Sequence, residues 1–344
     1  MAPNRLVTLA IIACLMIGAA TVCTASQTIT LSFANQNPET SWGGMNAIAP
    51  WAKQVEDATN GRVKVKIYYS QTICKGKDNW NSTKYGTVDI GWCWHGYWPG
   101  MTPLSDVIQL PALPFQTAEQ GSEILWKLYE KFPAIQEEFS ENQMLLLYAS
   151  HPYILITKNK PVETMEDIKG LKIRMPGGPP TEMAMALGAT SLLIPMPDVY
   201  IALQKGVIDG MGAPWEGIHA FRLYEVVDHY TDTPFPATYF SVVMNKRKWN
   251  NLPKDIQAAI MRVSGLEGSK FWGRNWFDTA KDAVMEKTKA MGKELAHHPM
   301  SDDERQRWIE TAGQPIWDNW VAAMEKQGHS QAREILDTVL ELCK

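Results

Sequence analysis

Cysteine is scarce in this 344-residue chain, with five residues, two of them before position 25. No spacing of Cys, His and carboxylates matches a metal site, so neither a metal centre nor any other cofactor is expected. A Gly-x-Ser-x-Gly elbow is missing, and so is an obvious pair of positioned carboxylates, which removes the usual marks of a hydrolase. Charge of one sign never accumulates: the net charge is −4 without a long block of like charge, which argues against a nucleic-acid partner. Phenylalanine is sparse beside the other aromatics, with 9 residues against 14 tryptophans and 11 tyrosines. At this length the chain holds more material than one core usually organises, so two lobes are expected.

The first residues, MAPNRLVTLAIIACLMIGAATVCTAS, combine Arg5, an apolar run from Leu6 to about Ala20 and a small-x-small end at Cys23-Thr24-Ala25. That is a secretory signal peptide cleaved after Ala25, since the run is shorter than the ~20 residues a spanning helix needs. Ile11-Ile12-Ala13-Cys14 resembles a lipoprotein box but falls too early in the apolar region. No later stretch is apolar enough to span a bilayer, so the mature chain is expected to be exported, periplasmic and monomeric. It retains Cys74, Cys93 and Cys343, and Cys74 with Cys93 is the candidate disulfide because both fall in the first lobe.

Along the chain, Ile29–Ala34, the helical Trp42–Ala58 and Val63–Tyr69 read as strand, helix, strand. Asn37 lies in the polar loop between the first two. The window Cys93–Gly100 holds Trp94, His95, Tyr97 and Trp98 just after Trp92. Aromatics interleaved with glycine and proline do not fit one regular element, so some of these rings should line a cleft. Met144–Ala149 and Tyr153–Thr157 are strands, and Ser150-His151-Pro152 between them is a natural crossing from one lobe to the other. A helical pattern runs from Gly268 to His297, interrupted only by Gly273 and Gly292, with Trp272, Trp276, Ala280 and Val284 on one face. Such a helix is long enough to span both lobes.

The stretch Gly170–Glu216 carries one arginine. Arg174 ends a strand, Leu171–Met175, where it meets the breaker cluster Pro176-Gly177-Gly178-Pro179-Pro180, and ligands in α/β proteins bind at such strand ends. Its planar fork of donors matches a carboxylate. On this evidence alone, a surface ion pair with Glu166 or Asp167 is the competing role. Asp198 is read as the cap of the helix Val199–Lys205. A second strand, Val207–Ala213, exits through glycines into Pro214-Trp215-Glu216, so two strand ends can face one crevice.

Taken together, Gly170-Leu171-Lys172-Ile173-Arg174, Gly188-Ala189-Thr190, Tyr200-x-Ala202-Leu203-Gln204-x-Gly206-Val207-x-Asp209-Gly210 and Pro214-Trp215-Glu216 resemble the DctP-type solute-binding proteins of tripartite ATP-independent periplasmic (TRAP) transporters. Asp89-Ile90-Gly91, Leu110-Pro111 to Phe115 and Met244-Asn245-Lys246 support the match, which covers essentially the whole mature chain. The resemblance implies an α/β fold of two lobes, joined by crossing hinge strands and a long lobe-spanning helix, that closes over a small organic acid. It implies delivery to a membrane permease of small and large subunits, with Arg174 clamping the solute carboxylate. On this basis lobe I is 26–149 plus about 241–275, lobe II is 150–240 plus about 276–315, and helices of about 316–344 pack on the outside.

The chain departs from the family in two places. Where many members carry a second arginine it reads His151-Pro152-Tyr153-Ile154, and where many carry Glu-Asn-Pro it reads Gly212-Ala213-Pro214, a form shared by a Pro-Trp-Glu subgroup. With those polar groups missing, Trp92, Trp94, Tyr97, Trp98, Trp215 and Trp42 should enclose an apolar or aromatic body bearing one carboxylate. The competing ligand is an amine or quaternary ammonium in a Trp cage with Glu216 as counter-charge. An exported hydrolase or isomerase using His95 or His151 as base is the alternative from another class, and a sensor subunit would share the same binding chemistry.

Overall fold

The computed structural model describes residues 28–344, so the leader, its cleavage site, Cys14 and Cys23 lie outside the described residues. The strands, in chain order, are β1 (Ile29–Ala34), β2 (Val63–Tyr68), β3 (Ile90–Trp94), β4 (Gln143–Ala149), β5 (Ile154–Thr157), β6 (Lys172–Arg174), β7 (Thr190–Leu192), β8 (Gly210–Ala213), β9 (His229–Thr231), β10 (Tyr239–Met244) and β11 (Ala296–His298). They form two sheets, one ordered β2-β1-β3-β10-β4 and the other β11-β9-β5-β8-β6-β7. Helices cover the sheets, giving the two-lobe α/β architecture expected.

The lobes are tied where the chain crosses between sheets. After β4 it passes through Ser150–Tyr153 into β5, and after β9 it returns through 232–238 into β10, which lies antiparallel between β3 and β4. The two crossings hold each other: Ser150 N donates to Thr238 O at 2.8 Å and Tyr153 N to Pro236 O at 3.3 Å. A buried backbone without such partners would be costly, so the crossings behave as one paired hinge.

A third tie is helical. Helix Gly265–Gly273 continues through a π-helical turn, Arg274–Asp278, and then through Ala280–Ala290. Its first part packs on helix Ala118–Lys131 and β4, and its last part on helix Trp215–Ala220. Gly273 makes the first contact possible, because a Cβ there would stand 2.5 Å from Ala118 O. The wider turn brings neighbouring Trp276 and Phe277 both into the interior.

Several expectations are corrected. The spanning helix stops at Ala290, and the segment read as its continuation forms β11, where His297 pairs with Tyr230 of β9 and stacks on its ring. A three-residue strand offers no alternation to read. Strand β3 runs on through Cys93 and Trp94, so the aromatic window begins inside a regular, fully buried element. Helix Met196–Gln204 starts at Pro195, which leaves Asp198 in its first turn without a capping bond. Cys74, Cys93 and Cys343 are free thiols. Asn79 takes up Cys74, accepting from its Sγ at 3.0 Å while donating to Trp92 O, and Cys93 Sγ turns to Gly91 O.

Candidate functional site

Arg174 ends β6 at the point where the second sheet faces β3 of the first. Its side chain is buried, with Nε donating to Ile194 O at 3.0 Å and the guanidinium carbon 4.6 Å above the Trp94 ring. Nη2 is buried with no hydrogen-bond partner. The ion pair with Glu166 or Asp167 does not form. Glu166 binds Arg307, and Asp167 closes the capping box of the short helix Met165–Ile168. Among the described residues no carboxylate lies within ion-pair distance of Arg174. Burial lowers its pKa, opposed by Tyr97 and Tyr153. A buried cation held by one carbonyl and one indole face is short of an anionic partner.

Around it is a cavity of about 30 Å³. Trp92, Trp94 and Phe240 wall it from the first sheet, with Gln36 and Asn37 from the loop after β1. Tyr153, Met196 and Met211 wall it from the second, while Pro214, Glu216, Gly217 and Phe221 form one end. Trp276 and Phe277 of the spanning helix complete it. The aromatic wall is mutually braced: Trp92 stacks on Phe240 and on Trp276 at 5.3 and 5.6 Å, and its Nε1 donates to Tyr148.

Glu216 is the second ionisable group of this cavity, buried and accepting a long 3.4 Å bond from Gly43 N. Desolvation raises its pKa to about 7, moderated by the nearby Trp276 indole, whose Nε1 is too poorly placed to make a hydrogen bond, and by Gly43 N. It is therefore close to half-protonated at neutral pH. Gly43 must be glycine, since a Cβ would stand 2.2 Å from the Trp276 ring.

Three contacts draw the two sides together. The Tyr97 hydroxyl donates to Gln36 Oε1 at 2.8 Å and accepts from Met196 N at 3.1 Å. Gly43 N reaches Glu216, and Trp42 Nε1 donates to Thr279 Oγ1 at 2.8 Å.

The remaining candidates lie elsewhere. His95 is packed behind the wall, stacked on Tyr239 and held by Ser241 and Thr102, and burial lowers its pKa to about 3. Trp98 donates to Lys77 O, and Trp42 lies edge-on to His219. Trp215 points away from the cavity that its neighbours Pro214 and Glu216 line. It faces a larger groove with His151, on the other side of Tyr153 and Phe277. Sequence reasoning missed Gln36, Met196, Met211, Phe221, Phe240, Trp276 and Phe277. All but Gln36 read as ordinary core or helix residues, and only the loop position of Gln36 beside Asn37 offered a signal. Among the described residues no group of three or more His, Cys, Asp or Glu could hold a metal ion.

The model of the bacterial extracellular solute-binding proteins, family 7, matches residues 33–323. The chain belongs to this family. It is a TRAP-type extracytoplasmic solute receptor and not an enzyme. A solved TRAP solute-binding protein from Rhodoferax ferrireducens, in complex with copurified benzoate, is 28% identical with a TM-score of 0.86, over 92% of this chain and 98% of that one. Another from Bordetella bronchiseptica, with bound (R)- and (S)-mandelate, is 27% identical with a TM-score of 0.84 over the same shares. The outer membrane transporter protein TsaT of Comamonas testosteroni is 28% identical over 308 residues, 88% of this chain and 87% of that protein. For a receptor, the task of the site is recognition, and the His95 environment supplies no accessible base.

Proposed function

We propose that this receptor binds an aromatic monocarboxylate, with Arg174 on the carboxylate and Trp92, Trp94, Phe240 and Trp276 around the ring. The observation that carries this reading is the buried guanidinium of Arg174, which has no ion pair and an unpartnered Nη2 in an otherwise aromatic cavity. A carboxylate bound there gains a charge-assisted contact with a guanidinium that has no other anionic partner. Benzoate and mandelate in the two similar structures support the same ligand class. A cation is disfavoured, because Arg174 is permanently charged whereas burial raises the pKa of Glu216 to about 7 and so weakens it as a counter-charge.

A cavity of about 30 Å³ matches one water's share of volume, while a benzene ring occupies a cavity of ~150 Å³. Binding therefore requires the lobes to part and the flexible Met196 and Met211 to withdraw before the lobes close again. We assign the lobes to 26–149 with about 239–275 and 150–238 with about 276–315, with helices of about 316–344 outside; the boundary expected at 240 moves to the start of β10, which lies in the first sheet. The mature receptor, exported to the periplasm by cleavage after Ala25, acts as a monomer and presents its closed complex to the small and large subunits of a TRAP permease.

Calorimetric titration with benzoate, mandelate and the matching amines, benzylamine and phenethylamine, tests the reading. Binding of the acids with silence from the amines is expected. The reverse order would transfer the role to Glu216.

A further inference from the structure

Trp215 and His151 stood out in the sequence, and the central cavity uses neither. Both line a groove of about 540 Å³, separated from that cavity by Tyr153 and Phe277. The size is ordinary for a small-molecule site. Its apolar walls include Phe115 and Phe235, set among the prolines of both lobe crossings.

The groove lining holds two cations, Lys281 and Arg305, and two carboxylates, Asp232 and Asp278, that do not pair with one another. Lys281 holds its ammonium 5.4 Å from the Trp215 ring centre and 6.0 Å from that of Tyr230. Arg305 donates through Nη2 to Asp232 O at 2.8 Å. Among the described residues neither cation has a carboxylate within ion-pair distance. The two carboxylates in the lining are already engaged. Asp232 Oδ2 is 2.7 Å from His297 Nε2, and Asp278 accepts from Ala118 N and Glu119 N. Two unpaired cations beside aromatic and proline surfaces form a surface complementary to an anion with an apolar body.

We propose that this hinge-side groove is a second binding site, for a bulky aromatic organic anion, with Lys281 and Arg305 on its acidic group and the proline-lined lobe crossings beside Trp215 against its ring system. The site is independent of the central cavity and of which solute that cavity takes.

Fluorescence titration of the full mature chain with 1-anilinonaphthalene-8-sulfonate tests it. One probe per chain is expected, and the double charge reversal Lys281→Glu with Arg305→Glu should weaken it at least tenfold. Lys281→Glu alone, at an exposed position where folding is not at stake, should weaken it about threefold or more. Arg174→Ala should leave probe affinity within twofold, and saturating benzoate should not displace the probe. Affinity unmoved by Lys281→Glu, binding lost with Arg174→Ala, or displacement by benzoate would each overturn the proposal. Because the charge-reversal arm does not involve benzoate, failure of the aromatic-acid reading of the central cavity leaves the groove separately testable.

Discussion

The guanidinium carbon of Arg174, at the end of β6 in the second sheet, lies over the ring of Trp94 of β3 in the first, 4.6 Å from its centre. One residue pair thus joins the two lobes at the central cavity. A desolvated cation–π contact of this kind is worth about 2 kcal/mol, yet it leaves the outer nitrogen Nη2 unpartnered. Arg174→Ala is expected to weaken aromatic-acid binding about ten- to a hundredfold, the loss of a charge-assisted hydrogen bond. Arg174→Lys should recover only part of that, because an ammonium cannot reproduce the planar fork. Calorimetry on the three proteins checks both expectations, and unchanged affinity in the alanine variant would remove Arg174 from the site.

Tyr97 should act on closure. Its hydroxyl joins Gln36 to Met196 N across the cleft, so Tyr97→Phe removes both bonds while keeping the ring. A loss of about 1 kcal/mol per bond corresponds to roughly a five- to thirtyfold rise in Kd, carried mainly by faster dissociation in stopped-flow measurements. Small-angle scattering should show a smaller ligand-induced fall in radius of gyration than in the parent protein.

Glu216 makes stability depend on pH. Its folded pKa of about 7 lies above the ordinary value of 4.5, so the unfolded chain releases this proton first as pH rises. The folded state is therefore penalised progressively between about pH 4.5 and 7, by at most ~3 kcal/mol. Asp106 and Glu138 are raised to about 7 in the same way, so the difference between parent and Glu216→Gln isolates the one carboxyl. The variant should gain in relative thermal midpoint from pH 4.5 to pH 8. A difference that stays constant across that range would mean that the folded pKa of Glu216 is not raised above its unfolded value.

Gly273 fixes the spanning helix on the first lobe. Gly273→Ala would press a methyl onto the backbone oxygen of Ala118, which no rotamer can relieve, and should destabilise by about 1–3 kcal/mol. Denaturant melts measure it. Gly292→Ala serves as a comparison, because a Cβ there meets no atom and only its positive φ of 65° resists.

The three thiols should all be free. Intact mass after alkylation of unfolded, unreduced protein is expected to show three adducts on the mature chain. In the native state Cys93 should stay unlabelled, since it is buried and its thiol is pushed well above the ordinary value. A mass two units low, with one adduct, would restore the Cys74–Cys93 bridge.

Much of the architecture was legible because its signals are local. Alternation in Ile29–Ala34, glycine stops, and the breaker cluster after Arg174 depend on neighbours in the chain. The run ending at His297 misled because the side chains of β11 gain their strand only by pairing with β9. The aromatic window misled in the opposite sense: its glycines and prolines suggested a loop, but β10 arrives from the second crossing and pairs Cys93 and Trp94 into a sheet.

By itself the sequence determined the two-lobe class and the family, and it singled out Arg174, because a contiguous motif and a fixed charge at a strand end are properties of the chain. Only the tertiary structure decided which aromatics meet that anchor. Consecutive residues in an extended segment or at a helix start point to different sides. Glu216 therefore enters the cavity while Trp215 beside it turns to the hinge groove. Trp276 and Phe277 are adjacent in the π-helical turn and both line the cavity, a placement set by how that turn packs between the lobes.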